Sequence, residues 1–255
     1  MTEEKGHRMF SFEDYKNIVR LVKESGRAAN FREALSMDRF IIMRHDVEFS
    51  VDRAYAISKL ESELDFTSTY FFQWTNNSYN ILSKRNMDRI KEMYRNGHKI
   101  GLHYAVCGLT DMEQIKSQIA KEMRVLSEMF EFEISEFSIH RPSAALLREN
   151  IHLPGVLNAY QDDFFTFAEN VTLDTPLKVR YFSDAQHRWN YGLTPDAETL
   201  EKYDKIQILT HPYSWTEEGY DNLNNFRYLI KERNAELLET IDSECRHFAL
   251  VKDQL

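Results

Sequence analysis

A short apolar run that ends abruptly in charged residues constrains this sequence most. Residues 40–43 are apolar and mostly β-favouring, which predicts a buried strand, and Arg44, His45, Asp46 and Glu48 follow almost directly. Because side chains alternate along an extended segment, Asp46 and Glu48 point to one side and His45 to the other. Two carboxylates on one face at the end of an inner strand suit a hydrolase, as metal ligand and general base. The alternative interpretation is a solvated strand end with surface charges.

Strand-like and helix-like segments alternate along all 255 residues, and this alternation predicts a parallel sheet covered by helices. No glycine-rich dinucleotide fingerprint follows the first strand, so a barrel is favoured over an open doubly wound sheet. We expect one domain over residues 1–255, with an N-terminal helix at 11–25 and a C-terminal helix at about 222–243 packed on it. The strands are predicted at 40–46, 66–73, 99–104, 137–140, 179–182 and 205–210.

Composition excludes several classes of protein. The net charge of −9, with acidic and basic residues interspersed, disfavours nucleic acid or an anionic membrane as the main partner. Cys107 and Cys245 form no framework of spaced pairs, so no disulfide scaffold is expected. The N-terminus has no apolar run typical of a signal peptide, and no window approaches eighteen consecutive apolar residues. We therefore expect a cytoplasmic protein that does not span a membrane.

Nearly every predicted strand ends in a polar side chain capable of acid–base or ligand chemistry. In a barrel of parallel strands these ends meet at one mouth, so residues distant in sequence would line one pocket. Each of them alone has a plainer interpretation, since a lone histidine at a strand end is more often structural than a ligand. The side chains at these ends are Asp46 and Glu48, Gln73, His103, His140 with Arg141, Asp184, and His211.

The order and spacing of these segments resemble the polysaccharide deacetylases with the NodB homology domain, carbohydrate esterase family four. Segment 183–192 is similar to the S-D-x-x-x-R-W segment of divergent members from O-antigen and lipopolysaccharide clusters, of the WbmS type. The resemblance covers roughly residues 36–215. The other matching segments are 44–50 in place of the aspartate motif, 97–103 in place of G-H-E-I-G-x-H, 140–143 near R-x-P-Y, and 208–212 near the final histidine motif.

The resemblance implies a distorted (β/α)7 barrel of TIM-like architecture and metal-assisted removal of acetyl groups from sugars. It implies that Asp46 is the general base and that Arg141 orients and electrostatically tunes it. Glu48 and His103 would be metal ligands, Glu48 replacing the family's adjacent aspartate because the residue after Asp46 is a valine. His211 would be the general acid that protonates the leaving amine.

The resemblance also implies a sugar pocket. Asp184, Arg188 and Trp189 would line it, with Trp189 offering an apolar face to a sugar ring, and we add Gln73 as a further substrate-binding candidate. The tyrosine of the R-x-P-Y motif is replaced by Ser143, which alters specificity if that ring packs on the substrate in the family.

The second histidine ligand of the family falls on Cys107 in this chain. A thiolate binds zinc, so a site of carboxylate, histidine and cysteine is one possibility. Equally, Cys107 is a small buried residue, and His140 or His98 takes its place, or no metal is bound. Zinc is the expected ion if a metal is retained.

We therefore expect a metal-dependent deacetylase of an N-acylated sugar, nucleotide- or lipid-linked, in O-antigen, lipopolysaccharide or other surface polysaccharide biosynthesis. The alternative from a different class is a catalytically silent barrel that binds a carbohydrate or a partner enzyme. A third interpretation is a related C–N or ester hydrolase with a non-sugar substrate.

Overall fold

The computed structural model describes residues 10–169, 171–172, 174–190 and 193–252. Its sheet consists of seven strands: β1 (Phe40–Val47), β2 (Thr69–Phe72), β3 (Lys99–Tyr104), β4 (Glu136–Ile139), β5 (Leu157–Asn158), β6 (Arg180–Ser183) and β7 (Lys205–Thr210). The α-helices within these ranges are α1 (Phe12–Glu24), α2 (Phe31–Ala34), α3 (Val51–Glu63), α4 (Lys84–Arg95), α5 (Met112–Phe130), α6 (Ala144–Arg148), α7 (Ala197–Lys202) and α8 (Asn222–Glu244).

The seven strands are all parallel, in the order β5-β4-β3-β2-β1-β7-β6, which confirms the predicted architecture as a curled half-barrel surrounded by helices. Strands β5 and β6 lie at the two ends of this order. Gln207 of β7 bridges towards the β5 end, because its amide donates to the carbonyl oxygens of Ala159 at 2.9 Å and Phe164 at 2.7 Å. The sheet therefore curls around an interior. Among the described strands, β5 and β6 do not pair with each other, so the curl is open between them.

The sheet separates two hydrophobic cores, and β1 contributes to both. Phe40 and Ile42 face the interior of the curl, whereas Ile41 and Met43 face the layer between sheet and helices. Continued alternation brings Asp46 to the inner side, as the sequence predicted. The inner core consists of Phe31, Ala34, Phe40, Ile42, Phe71, Leu157, Ala159, Phe164 and Val179.

Gly101 of β3 permits a close approach inside the curl. A Cβ at this position would lie 2.4 Å from Cδ1 of Phe71 and 2.8 Å from the carbonyl oxygen of Glu136. Any larger residue would therefore push β2 and β4 apart, on either side of the strand that carries His103.

The turn after β1 is closed by a helix cap. Ser50 accepts a hydrogen bond from the backbone N–H of Arg53 at 3.2 Å and so begins α3 two residues after Glu48. None of the described helices is long and apolar enough to cross a bilayer.

Candidate metal and catalytic site

The carboxyl ends of several strands bring polar side chains to one cavity of about 940 Å³. Asp46 from β1 and His103 from β3 line it, together with His140 and His211, which directly follow β4 and β7. The convergence expected at the mouth of a parallel barrel is therefore present, although these residues are far apart in the sequence.

Glu48, His103 and His140 form a cluster that could hold a metal ion. Nδ1 of His140 lies 3.1 Å from Oε1 of Glu48, and Nε2 of His103 lies 4.0 Å from the same oxygen. The two imidazole nitrogens are 3.2 Å apart, and one ligand atom from each residue lies within 4.8 Å of the others. Two imidazoles and one carboxylate form a donor set found in catalytic zinc sites that keep a fourth position open.

Ser138 of β4 fixes the orientation of His103. Its hydroxyl donates to Oδ1 of Asp46 at 3.1 Å, so its oxygen accepts from Nδ1–H of His103 at 2.7 Å. With the proton held on Nδ1, the lone pair of Nε2 is directed to the Glu48 cluster. One serine thus orients both the expected base and a candidate ligand.

Glu48 is held as a carboxylate. Burial alone would raise its pKa, but the neighbouring imidazoles of His103 and His140 and the positive charge of His211 lower that pKa well below the ordinary value. An ionised carboxylate with two imidazoles is the state in which these side chains bind a cation.

Arg44 is the cation that holds Asp46. Its Nη2 lies 3.5 Å from Oδ2 of Asp46, and both side chains are buried. Its guanidinium lies 4.4 Å from the ring centroid of Tyr160 and about 6 Å from that of Tyr181. Burial alone would lower the pKa of Arg44, but the charge of Asp46 raises it above the ordinary value, so Arg44 stays charged.

The structure does not place Arg141 beside Asp46, where the family resemblance implied that it would orient the carboxylate. Arg141 is exposed and starts the loop after β4 in the left-handed region, with φ of +47°. Arg44 lies two residues before Asp46 on the same inward face of β1, and it therefore reaches the carboxylate directly. Arg141 lines the rim of the cavity instead.

His211 follows β7, the neighbour of β1 on the side away from β2, and its side chain is held by Asp184. Its Nδ1 lies 2.6 Å from Oδ1 of Asp184, which also accepts the backbone N–H of His211 and, through Oδ2, the indole N–H of Trp215. Burial alone would lower the pKa of His211, but Asp184 overrides it and raises the pKa to about 9. The imidazole is therefore protonated at neutral pH.

Segment 183–192 reaches the cavity, but not through Asp184, Arg188 and Trp189, the three residues expected to line a sugar pocket. Asp184 is fully buried behind His211, and Trp189 packs at 6.4 Å from Phe10 and 6.2 Å from Trp215. Arg188 is exposed and donates to the side chain of Gln186. Other residues of the same segment, Ser183, Ala185, Gln186 and Asn190, do line the cavity. Residues 191 and 192 of the segment lie outside the described residues.

Among the expected pocket residues, Gln73 does line the cavity.

The structure also distinguishes between Cys107 and the two histidines considered as the third metal ligand. Cys107 is exposed at the cavity edge, and His98 lies on the helix side of the sheet, where it contacts Ser58 and Ser62. His140 is the alternative that the structure brings to Glu48 and His103.

Two groups of cavity residues were not predicted from the sequence. Phe49, Tyr213 and Phe226 form an aromatic wall, with ring centroids 4.8 Å apart for Phe49 and Tyr213 and 5.9 Å apart for Tyr213 and Phe226. The amide side chains of Asn76, Asn77, Gln186 and Asn190 also line the cavity, beside the predicted Gln73. Rings from a strand end, a 3-10 turn and α8 meet only in three dimensions, so no local signal marks them.

A buried polar network lies behind β1, on the side of the helices. Glu61 of α3 accepts hydrogen bonds from the hydroxyls of Tyr15 and Tyr70, both at 2.6 Å, and from Ser68 at 2.7 Å. Nε2 of His45 lies 3.1 Å from the same carboxylate. His45 is thus a structural residue that ties α1 and α3 to the sheet.

No family model and no curated protein matches this sequence. The fold resembles solved structures of the CE4 family. A Streptococcus mutans CE4 esterase is 12% identical, with a TM-score of 0.45, over 84% of this chain and 91% of that one. The chitin deacetylase from the fungal pathogen Colletotrichum lindemuthianum is 17% identical, with a TM-score of 0.41, over 76% of this chain and 81% of that one.

A mutant of a Bacillus anthracis CE4 family pseudoenzyme, with restored activity, is 14% identical with a TM-score of 0.39 over 78% of this chain. The match spans 64% of that protein, which is less than two thirds of its length. All three TM-scores are below 0.5, so the function proposed below depends on the residues of this chain.

Proposed function

We propose that this protein is a metal-dependent deacylase that hydrolyses the C–N bond of an N-acylated sugar. The observation that carries the proposal is the Glu48–His103–His140 cluster, which lies beside Asp46 in the cavity that His211 also lines. A candidate cation site, a buried carboxylate and a protonated imidazole are the groups that amide hydrolysis requires in one place.

The donor set fits a divalent cation, and zinc first, because one carboxylate oxygen and two imidazole nitrogens converge, and Ser138 holds the proton of His103 on the ring nitrogen turned away from the cluster. When bound, such an ion polarises an amide carbonyl and lowers the pKa of water towards ~7. Glu48, His103 and His140 would hold it, and the set is complete without Cys107.

Asp46 is the proposed general base. Its carboxylate accepts a hydrogen bond from Ser138 through Oδ1 and forms an ion pair with Arg44 through Oδ2, so both oxygens have a partner inside a buried site. It would take the proton of the attacking water while the water oxygen bonds to the carbonyl carbon. Arg44 keeps the carboxylate oriented during the step.

His211 is the proposed general acid. Its imidazolium is stabilised by Asp184, so it is charged before the reaction and can give its proton to the amide nitrogen as the C–N bond breaks. The products are a carboxylate and the free amine of the sugar. An amide nitrogen is a poor leaving group, so this proton transfer is needed for turnover.

The walls of the cavity suit a sugar. The aromatic wall of Phe49, Tyr213 and Phe226 offers apolar faces to the C–H faces of a pyranose ring, and the amide side chains offer partners to hydroxyl groups. The motif resemblance to the divergent O-antigen members suggests a nucleotide- or lipid-linked sugar of surface polysaccharide assembly, and hence a cytoplasmic enzyme.

The test is release of free amine from a panel of nucleotide-linked and lipid-linked N-acetylamino sugars by the zinc-loaded full chain. We expect metal-dependent release, and a rate about 100-fold to 10,000-fold lower for Asp46→Asn. Asp38→Asn is the matched control, because Asp38 is exposed just before β1 begins. Stoichiometric metal binding without amine release from any member would contradict the proposal and favour a silent carbohydrate-binding barrel.

A further inference from the structure

The C-terminal helix α8 carries an uncovered apolar stripe. Leu223, Ile230 and Leu237 are 62%, 60% and 58% exposed, and each lies seven residues from the next. Ile241 continues the same side of the helix, one turn beyond Leu237. Large exposed aliphatic side chains in a row are unusual on a monomer surface and mark a site of association.

The other side of α8 is already occupied. Asn225 and Leu229 are buried against the body of the protein, and Glu232 accepts hydrogen bonds from Nε and Nη2 of Arg53 on α3. The helix is therefore held in place through one face, with the apolar stripe on the opposite face. Its 23 residues span about 34 Å, long enough for several turns of contact.

The charges of α8 are separated along its length. Its first half contains Arg227, Lys231 and Arg233 with a single acidic residue, and its second half contains four acidic residues and no basic one. The acidic residues of the second half are Glu236, Glu239, Asp242 and Glu244, of which the first three pair within the chain with Arg233, Arg85 and Lys252. Two such helices side by side in the same direction would place like charges together, whereas opposite directions would pair basic halves with acidic halves.

We propose that the exposed face of α8 is the contact surface of a homodimer, with the two helices antiparallel across a two-fold axis. Such an interface uses the same patch on both copies, and a self-complementary charge pattern is what it requires. Arg227 and Lys231 lie along the same flank of the stripe as Asp242, because residues four and eleven apart share a helix side. Antiparallel packing therefore brings this basic pair towards Asp242 of the second copy, a carboxylate that also pairs with Lys252 of its own chain at 3.1 Å.

If the two-fold axis passes near the middle of α8, it sets which residues of the two helices lie opposite each other. Leu223 lies eleven residues before Asn234, and Cys245, the exposed C-terminal cap of α8, lies eleven residues after it. A two-fold axis near Asn234 then places Leu223 opposite the second copy's Cys245. The two Cys245 residues would lie about 33 Å apart, at opposite ends of the paired helices.

Sedimentation of the full chain over a range of concentrations tests the association. We expect a reversible dimer, and a dissociation constant about 30-fold or more weaker for Leu237→Asp, since buried anchors carry most of the energy of an interface. Leu35→Asp is the matched control, because Leu35 is 50% exposed and lies outside α8, and it should leave the dimer unchanged. A wild-type monomer at ~100 µM, well above the dissociation constant of a stable dimer, would overturn the proposal.

Crosslinking tests the direction of the helices, in a Cys107→Ser background that leaves Cys245 as the only native thiol. Leu223→Cys should form an intersubunit disulfide under mild oxidation, because two Cα atoms within about 7 Å can be bridged. The further change Cys245→Ser should abolish it. Efficient disulfide formation through Cys245 alone would show parallel helices and overturn the antiparallel arrangement.

Discussion

Arg44 is a fully buried cation whose charge is matched by one carboxylate. Its stem lies on β1 and its guanidinium lies among the rings of Tyr160, Tyr181 and Phe71. Nε and Nη1 have no hydrogen-bond partner among the described residues, so the Asp46 contact, the hydrogen bond from Nη2 to the Tyr181 hydroxyl at 3.4 Å and the aromatic faces offset the loss of hydration. Removing either charge would leave the other buried without its ion-pair partner.

We therefore predict that Arg44→Met lowers the free energy of unfolding by about 3 kcal/mol, the effect of breaking a buried ion pair. It should also lower kcat, since Asp46 loses one of the two groups that orient it. Urea unfolding measures the first effect and amine release the second. Arg141→Met is the matched control, because an exposed arginine should change stability by less than about 0.5 kcal/mol. If Arg141→Met were the destabilising change, Arg44 would not be the partner of Asp46.

At the residue scale, alternation along β1 predicted correctly that Asp46 and His45 face opposite sides. The same rule places Arg44 beside Asp46, but the motif resemblance pointed to Arg141, which the turn after β4 leaves exposed. Trp189 was expected at the sugar pocket, yet it packs against Trp215, because a tryptophan that can be buried against other rings gains more than one left at a rim.

At the scale of elements, α3 is attached to the sheet through the carboxylate of Glu61. Burial alone would raise the pKa of Glu61, but His45 and the hydrogen bonds around the carboxylate lower it to about 2. Its unperturbed pKa is 4.5, so its ionised form stabilises the fold above pH 4.5, and that stabilisation is lost as the pH falls towards 2.

We predict that Glu61→Gln lowers the free energy of unfolding at pH 7 by about 3 kcal/mol, because an amide group turns N–H donors towards hydroxyl donors. The gap to wild type should shrink as the pH falls from 4.5 towards 2. Glu63→Gln, on the same helix with a 61% exposed side chain, is the control and should have little effect. An equal loss for both variants would show that the network around Glu61 adds nothing specific.

The start of α8 reaches the cavity through Asn222 and Phe226, so this helix has a part in substrate binding if the proposed function holds. Phe226→Ala should raise KM for an N-acylated sugar about tenfold, equivalent to about 1.4 kcal/mol, with little change in kcat. A ring that packs equally on substrate and transition state changes binding alone. Tyr228→Ala is the matched control, because Tyr228 is similarly exposed on α8 but stacks on Tyr220, outside the cavity. Equal KM values for the two variants would remove Phe226 from the pocket.

Element prediction succeeded where local signals were long and failed where they were short. The helix expected at about 222–243 runs over 222–244, and the strand expected at 205–210 has those bounds. Strand β5 was missed because it contains two residues, fewer than any periodicity can reveal. Which side of α8 is exposed depends on how the helix packs against α3, and that packing cannot be predicted from the sequence of α8 alone.

At the scale of the whole molecule, the seven-strand order brings His140, at the end of β4, to 3.1 Å from Glu48, across β3 and β2 from β1. Cys107 lies only four residues beyond His103, but the chain leaves β3 into an exposed loop with φ of +51° at Cys107. The spacing of the family motif pointed to Cys107 as the third ligand. The curvature of the sheet instead brings His140, which is more distant in sequence, to Glu48 and His103.

This difference predicts how metal binding should stabilise the protein. A ligand that binds only the folded state adds about 2.7 kcal/mol at a concentration 100 times its Kd, so zinc should raise the Tm of the metal-free wild type. Cys107→Ser should keep that rise, whereas His140→Ala and Glu48→Gln should lose most of it, since each removes one of three ligands. Differential scanning fluorimetry with and without zinc measures the rise, and zinc titration of each variant checks the stoichiometry. The opposite pattern, with the rise lost in Cys107→Ser and kept in His140→Ala, would move the third ligand to the loop after β3 and would require that loop to close over the cavity when the metal binds.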